Sequence, residues 1–196
     1  MIKSVTVFCS SSSKVAPVFH DAAASLGDAI ARQNWTLVYG GNDTGLMGVL
    51  ARAARKAGGK VIGVTPKLFL DHGVVDQKCD ELIIVNSMRE RKAILEQRGD
   101  AFIALPGGIG TLEEWFEALV GRQLGYHAKP VVLLNVNNFY DPLLKMIDDG
   151  IAANFVRAKS RELFHAANTT ATAIEHLVTY QAPELDLKTA THELSR

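Results

Sequence analysis

The chain of 196 residues is long enough to form one domain with a substantial core of its own. Its 21 basic and 21 acidic side chains balance, so no excess of positive charge points to nucleic acid or to an anionic membrane surface. Hydrophobic residues make up 47% of the chain, which is typical of globular proteins, and no stretch of about 18 consecutive apolar residues predicts a membrane span. We therefore expect neither a nucleic acid polymer nor a membrane as a partner.

The start of the chain and its cysteines predict a cytoplasmic, soluble protein. Residues 1–5 lead into an apolar segment without the long hydrophobic region and small-residue cleavage site of a secretory signal. Cys9 ends that apolar segment and Cys79 lies between two charged residues, which suits two reduced thiols better than a disulfide.

Short apolar runs alternate with longer amphipathic segments along the chain. The runs that we predict as strands are residues 5–9, 35–39, 60–64, 81–85, 101–105 and 130–134. Helical periodicity occurs at about residues 16–32, 46–57, 89–97, 112–124, 141–149, 156–161 and 171–180. Because the strands are apolar on nearly every residue, both sheet faces must be covered, which predicts a three-layer α/β fold with a mostly parallel sheet. We expect a single domain over residues 1–180 and a tail over residues 181–196 that is disordered or packed on a neighbour.

A glycine-rich run, LPGGIGTLEE at residues 105–114, joins the fifth predicted strand to the helix predicted from residue 112. Parallel sheets bind ligands at the loops that leave the carboxyl ends of their strands, and glycine leaves backbone N–H groups accessible to an anion. The run therefore predicts a phosphate site with two carboxylates beside it. Its candidate binding residues are Pro106, Gly107, Gly108, Gly110 and Thr111.

Two further loops follow predicted strands. The loop at residues 39–48 contains Gly40, Gly41 and Gly45, but it lacks the lysine of a Walker A loop, which argues against an NTPase. Several adjacent glycines favour close backbone approach to a ligand over a simple turn. Four serines, residues 10–13, follow the first strand. They either contact a ligand, with Ser10 as the candidate, or serve as ordinary caps and turns.

Three cations lie at the start of the third predicted helix: Arg89, Arg91 and Lys92. Such a run is usually a solvated helix face, but cations at a helix N-terminus oppose the helix dipole unless an anion joins them. A phosphate or the carboxylates of the glycine run could be that anion. We predict that Arg91 and Lys92 contact a ligand and that Arg89 pairs at the surface.

Glu113 and Glu114 are the candidate catalytic carboxylates. Thr111 followed three residues later by Glu114 matches a capping box, which would occupy Glu114 and leave Glu113 the freer of the two. Spacing alone leaves both assignments open. Glu117, one turn further on, is expected to face solvent or to pair with a nearby cation.

Several other chemistries lack support in the sequence. The six histidines show no metal-ligand spacing, and no serine lies in a G-x-S-x-G elbow, so we expect neither a metal site nor a hydrolytic triad. The loop after the first strand has no glycine, so the dinucleotide fingerprint of an NAD-dependent oxidoreductase is missing.

Three motifs in matching order strongly resemble those of the LOG (Lonely Guy) family: YGGNDTGLMG at residues 39–48, SMRERK at 87–92 and PGGIGTLEE at 106–114. The likeness extends over nearly all of residues 2–180. It implies a homodimeric, Rossmann-like phosphoribohydrolase that needs no cofactor. Such an enzyme cleaves the N-glycosidic bond of N6-modified AMP, the cytokinin riboside 5′-monophosphates, and in similar proteins that of AMP itself, releasing free base and ribose 5-phosphate.

The resemblance also implies which residues form the active site. In the family these are the glycine motif, the arginine of the Arg-Lys pair and the glutamate that ends the motif, which correspond here to residues 107–111, Arg91 and Glu114. The resemblance thus favours Glu114 where spacing favours Glu113, and it adds Met88 to the binding residues. The alternative hypothesis is a protein that binds AMP-like nucleotides on the same loops without turnover.

Overall fold

The structure, a computed structural model, describes residues 1–182. Strands and helices alternate throughout this part of the chain. The strands are β1 (Ser4–Phe8), β2 (Thr36–Tyr39), β3 (Val61–Pro66), β4 (Glu81–Val85), β5 (Ala101–Ala104), β6 (Val131–Leu134) and β7 (His165–Ala167). The α-helices are α1 (Pro17–Arg32), α2 (Gly45–Lys56), α3 (Met88–Arg98), α4 (Ile109–Gln123), α5 (Asp141–Ala152) and α6 (Thr170–Thr179). Short 3₁₀ helices lie at Lys67–His72, Val136–Asn138 and Ala158–Leu163.

Within residues 1–182 the strands form one seven-stranded sheet in the order β4-β3-β2-β1-β5-β6-β7, and every neighbouring pair is parallel. The chain moves outward from β1 to β4, and α3 then returns it to β5 on the other side of β1. In such sheets the carboxyl ends on either side of this reversal form the crevice that binds ligands. The predicted α/β fold in three layers is confirmed, and the sheet is parallel throughout.

Side chains alternate along each strand between two cores. In β1, Val5 and Val7 belong to the core beneath α1, α2 and α6, whereas Phe8 belongs to the core beneath α3, α4 and α5. Trp115 of α4 lies in the second core and is fully buried. Cores on both faces explain why the strands are apolar at nearly every position, and they hold the strand ends rigidly at one edge.

Several elements differ from the prediction, among them the 3₁₀ helices Lys67–His72 and Val136–Asn138, which were not predicted. β7 was not predicted, because its three residues are too few to form a recognisable apolar run. The helix predicted at residues 156–161 is instead the 3₁₀ helix Ala158–Leu163. α4 begins at Ile109, earlier than residue 112, because packing against the sheet overrides the low helix propensity of the glycines. Of the predicted tail, residues 183–196 lie outside the described residues.

Candidate active site

The loops after β1, β2 and β5 meet at the carboxyl edge of the sheet. The amide of Ser10 donates a hydrogen bond to the carbonyl of Pro106 at 3.4 Å, and the amide of Leu46 donates to the carbonyl of Ser10 at 3.0 Å. Gly45 adopts a left-handed φ of 58°, and a Cβ there would lie 2.3 Å from the carbonyl carbon of Ser11. Only glycine allows the loop after β2 to approach the first loop so closely. The three loops singled out in the sequence therefore form one surface.

The glycine run forms the N-terminus of α4. Gly108 is the N-cap, no side chain caps the helix, and no acidic residue lies in its first turn. The first N–H groups of a helix have no partner within it, and the dipole there favours negative charge. A Cβ on Gly108 or Gly110 would meet no atom within 4 Å, so both glycines border open space. This helix end has the features of an anion site.

Gly107 has a different, structural position. A Cβ on Gly107 would lie 2.1 Å from the hydroxyl oxygen of Thr111 and 2.6 Å from its Cβ. Thr111 lies in the first turn of α4 and is 5% exposed. The absence of a side chain at Gly107 thus lets the strand end pack directly on the first turn of the helix.

The predicted capping box of Thr111 and Glu114 is wrong. α4 begins before Thr111, so this residue cannot be the N-cap. A related arrangement occurs at α3, where the hydroxyl of the N-cap Ser87 accepts a hydrogen bond from the amide of Glu90 at 3.2 Å, and the Glu90 carboxylate accepts one from the amide of Asn86, the residue before the N-cap, at 2.8 Å. Glu114 is therefore not occupied by a cap.

Arg91 of α3 joins three elements of the site. Its guanidinium pairs with Glu114 of α4, and its Nε donates to the carbonyl of Val64 in β3 at 3.0 Å. A Cβ on Gly40 would lie 2.1 Å from Nη2 of Arg91, so the guanidinium lies directly against the second glycine loop, residues 40–45 between β2 and α2. Arg91 is only 6% exposed. These contacts hold it in one position among β3, the loop after β2 and α4.

Glu114 is a nearly buried carboxyl group beside this cation. Its side chain is 11% exposed. Burial raises the pKa of Glu114, and the nearby Arg91 guanidinium offsets this only in part, so the pKa lies above that of an ordinary glutamate. Such a group exchanges a proton closer to neutral pH, as catalytic carboxyl groups often do.

Cys9, at the end of β1, lies in the same electrostatic environment. Burial raises the pKa of the Cys9 thiol, and the Glu114 carboxylate raises it further. A buried thiol with a raised pKa stays protonated near neutral pH and is a weak nucleophile. Cys9 and Cys79 are both unpaired, as predicted.

A second set of ion pairs between α3 and α4 lies nearer to solvent. Lys92 pairs with Glu113 and, at 3.1 Å, with Glu117. The Glu113 side chain is 53% exposed, whereas that of Glu114 is nearly buried. Glu117 pairs with a cation as predicted. The structure thus brings Arg91 and Glu114 to the glycine loops but engages Lys92 with surface carboxylates, and Met88 is half-exposed at the start of α3.

A cavity of about 220 Å³ opens beside the glycine run. Its lining residues are Ser10, Val15, Phe19, Leu46, Pro106, Gly107, Gly108 and Phe139. The rings of Phe19 and Phe139 meet edge to face, with centroids 5.8 Å apart. Neither aromatic residue was predicted from the sequence to lie at the site. Phe139 could have been found by extending the rule about strand ends to the loop after β6.

Tyr140 supports the same region and was also missed. Its hydroxyl donates to the carbonyl of Leu105 at 2.7 Å, where β5 leads into the glycine run, and Tyr140 is 2% exposed. The hydrogen bond fixes the strand end from which the run departs.

Among residues 1–182 no three histidine, cysteine or acidic side chains cluster in a way that could hold a metal ion. No helix in this part of the chain is both long and apolar enough to cross a membrane.

Comparison with known proteins places this site in a family. The sequence model of a family described as "Possible lysine decarboxylase" matches residues 47–177. A cytokinin riboside 5′-monophosphate phosphoribohydrolase of Arabidopsis thaliana is 41% identical, covering 91% of this chain and 78% of the relative. An enzyme of the same name from Rhodococcoides fascians is 46% identical, covering 81% of each.

Solved structures share the fold. The molybdenum cofactor carrier protein of Chlamydomonas reinhardtii superposes with a TM-score of 0.69 at 25% identity, covering 92% of this chain and 100% of the carrier. The molybdenum cofactor binding protein of Rippkaea orientalis has a TM-score of 0.67 at 27% identity, covering 90% and 94%. The identities to the plant and bacterial phosphoribohydrolases are much higher, and the chain belongs to the LOG family.

Proposed function

We propose that this chain is a nucleoside 5′-monophosphate phosphoribohydrolase that hydrolyses the N-glycosidic bond of cytokinin riboside 5′-monophosphates and of AMP. The observation that carries the proposal is the nearly buried Glu114, paired with Arg91 beside the uncapped N-terminus of α4. The names of the relatives from Arabidopsis and Rhodococcoides support the same activity.

The 5′-phosphate would bind at the start of α4. Backbone N–H groups from Gly108 to Thr111 and the helix dipole suit a phosphate, and Gly108 and Gly110 leave room for it. Ser10 and Pro106 line the cavity beside the glycine run and would contact the nucleotide there. This arrangement holds the substrate by its phosphate, so that the sugar lies near the carboxylate that follows on the same helix.

Glu114 would act on the sugar. Breaking a C1′–N bond develops positive charge on the ribose, which an adjacent carboxylate stabilises in a site that excludes water. The same carboxylate can accept a proton from the water that attacks C1′. The raised pKa of Glu114, caused by burial, suits a group that takes up and returns a proton in each turnover.

Arg91 would keep Glu114 ionised and oriented. Its hydrogen bond to Val64 and its contact with Gly40 leave it little freedom to follow a phosphate, so we assign it to the carboxylate and to the edge of the bound nucleotide. The loop from Gly40 to Gly45 would close the site on this side. Lys92 and Glu113, paired at the surface, would contribute charge at the rim, and Met88, half-exposed at the start of α3, would contact the base.

Incubation of the purified protein with AMP and with isopentenyladenosine monophosphate tests this function. We expect free base and ribose 5-phosphate in equal amounts, which chromatography of the products measures. If both nucleotides remain intact although they bind, the chain is a nucleotide-binding protein and not a hydrolase.

That second function has one observation in its favour. Two of the solved structures that share the fold are named as carrier and binding proteins for the molybdenum cofactor, which supports a binding role for a protein of this fold. The Arg91–Glu114 pair favours the hydrolase, because a nearly buried carboxyl group with a raised pKa suits proton transfer.

We also propose that the protein works as a homodimer in the cytoplasm, as the family resemblance implies. Apolar side chains at the end of α4 and just after it are exposed, namely Val120, Leu124 and Tyr126. A second copy that covers them would remove apolar surface from water. Sedimentation of the purified protein measures the assembly state, and fractionation of the source cells measures the location.

A further inference from the structure

Asp76 is a buried carboxylate that the proposed chemistry does not use. It follows the 3₁₀ helix Lys67–His72 and is 1% exposed. One carboxylate oxygen accepts hydrogen bonds from the Tyr39 hydroxyl at 2.8 Å and from Nη1 of Arg55 at 2.7 Å, and the other accepts from the amide of Lys78 at 3.0 Å. Burial raises the pKa of Asp76, but the bonds from Arg55, Lys78 and Tyr39 outweigh burial and hold the pKa below its usual range.

Two of these donors, Tyr39 and Arg55, lie on opposite sides of the second glycine loop. Tyr39 is the last residue of β2, directly before Gly40, and it is fully buried. Arg55 lies on α2, the helix that begins at Gly45 where the loop ends. A single carboxylate therefore connects the strand that enters the loop to the helix that leaves it.

The backbone around Asp76 also binds the loop directly. The amide of Asp76 donates to the carbonyl of Gly41 at 2.8 Å, and the amide of Asp43 donates to the carbonyl of Val74 at 2.8 Å. These bonds flank an isolated antiparallel bridge between Asn42 and Val75. The loop is thus held from outside by the segment that Asp76 anchors.

The position of the loop affects the Arg91–Glu114 pair through the contact between Gly40 and Arg91. Because the guanidinium of Arg91 lies against Gly40 with no room for a Cβ, a shift of the loop toward Arg91 displaces the guanidinium, and a shift away removes one of the contacts that hold it. Arg91 is in turn paired with Glu114. A displacement of about 1 Å at a catalytic group can lower a rate by about a hundredfold.

We propose that Asp76 is a positioning residue: it holds the second glycine loop in the place that aligns Arg91 and, through it, the Glu114 carboxylate. The expected effect on kcat rests on the proposed function. The expected effect on the position of the loop and of Arg91 rests on the hydrogen bonds alone.

Replacement of Asp76 by asparagine tests the proposal. Asparagine keeps the shape but carries no charge, so the Arg55 guanidinium loses its charged partner. Its amide nitrogen cannot accept a hydrogen bond, so either the Lys78 amide or the Tyr39 hydroxyl and Arg55 also lose their acceptor. The matched control is Thr6→Val, which removes one buried side-chain hydrogen bond, from the Thr6 hydroxyl to the carbonyl of Leu95 at 2.7 Å, away from the loops. Both variants lose stability, so stability alone does not distinguish them.

Two readouts separate positioning from simple stabilisation: kcat and KM at a temperature where each variant is fully folded, and a crystal structure of each. We expect Asp76→Asn to lower kcat at least about tenfold and to shift Gly40 and Arg91, whereas Thr6→Val changes neither. An unchanged kcat, or a loop and Arg91 that stay in place, overturns the proposal.

Two further outcomes are decisive as well. Should Asp76→Asn not fold, Tyr39→Phe removes only the hydroxyl that binds Asp76, and its kcat must fall while that of Thr6→Val does not. Should the wild-type protein hydrolyse no nucleotide, the proposed function fails, and the position of Arg91 in the two crystal structures decides the role of Asp76 alone.

Discussion

Replacing Arg91 by methionine perturbs the ion pair at the centre of the site. Methionine fills much of the same space but removes the guanidinium, so two contacts disappear: the pair with Glu114 and the hydrogen bond to the carbonyl of Val64. The Arg91 and Glu114 side chains are 7% and 11% exposed, so solvent cannot replace the lost cation. Glu114 is left as a buried charge without a partner.

The expected loss follows from that burial. Breaking a buried ion pair by removing one partner costs about 3–5 kcal/mol, because the remaining charge is uncompensated. The loss depends on pH. Without Arg91 the pKa of Glu114, already raised by burial, rises further above its value in the unfolded chain, so the folded variant binds more protons than the unfolded one. The stability of the variant must therefore decrease as pH rises, and the penalty relative to wild type must grow.

Urea denaturation of both proteins at about pH 5 and about pH 8 measures the effect. The control is Arg89→Met on the same turn of α3, where the arginine is exposed and the change should stay within about 0.5 kcal/mol at either pH. We expect the loss of stability in Arg91→Met to be larger at about pH 8 than at about pH 5. A loss that is equal at both pH values, or larger at the lower one, would refute the claim that Arg91 stabilises the ionised form of Glu114.

Further predictions concern the glycine run and a histidine pair. Gly110→Ala should raise the free energy of unfolding by about 0.5–1 kcal/mol, because alanine favours the helix and its Cβ meets open space, yet it should raise KM for a nucleotide monophosphate; an unchanged KM contradicts a phosphate at this helix end. Gly107→Ala should instead destabilise the protein by about 1–3 kcal/mol, since the new Cβ overlaps Thr111, and calorimetry that finds no loss rejects the packing described for this turn. Burial, and then the charges of His165 and Arg122, lower the pKa of His176 to about 4. The unfolded chain therefore binds the extra proton first, and stability should fall as pH drops from about 6.5 toward about 4. The ring of His176 stacks on that of His165 with centroids 4.2 Å apart, and His176→Phe keeps an aromatic ring there without the titrating group. The fall of Tm with decreasing pH should be shallower in this variant, and an equally steep fall in both proteins contradicts the role of His176.

The fold could be predicted from the sequence wherever the pattern is strong. β1 to β6 are nearly all apolar, which is typical of buried parallel strands, and the structure places all six where the pattern indicated. β7 could not be found, because His165 and two alanines carry no such signal and pair with β6 only once the rest of the sheet exists. The start of α4 was predicted too late because glycine propensity was allowed to outweigh packing.

The candidate site shows where local spacing fails. The capping-box pattern pointed to Glu113 as the freer carboxylate, but Thr111 lies inside the helix and Glu114 is the residue that turns toward Arg91. That pairing is a contact between helices that are separated in the chain, which spacing within one helix cannot indicate. The role of Asp76 could not be predicted for the same reason, because its hydrogen-bond partners come from β2, α2 and its own loop. The motif order of the family resemblance favoured Glu114 without that information.

The rate of base release by two glutamine variants tests the central claim most directly. Glu114→Gln and Glu113→Gln change neighbouring carboxylates of α4, one nearly buried beside Arg91 and one half-exposed beside Lys92. With a saturating N6-modified adenosine monophosphate, we predict that Glu114→Gln lowers kcat by at least about a hundredfold, whereas Glu113→Gln stays within about threefold of wild type. Unchanged turnover in folded Glu114→Gln, or the larger loss in Glu113→Gln, would contradict the proposed role of Glu114.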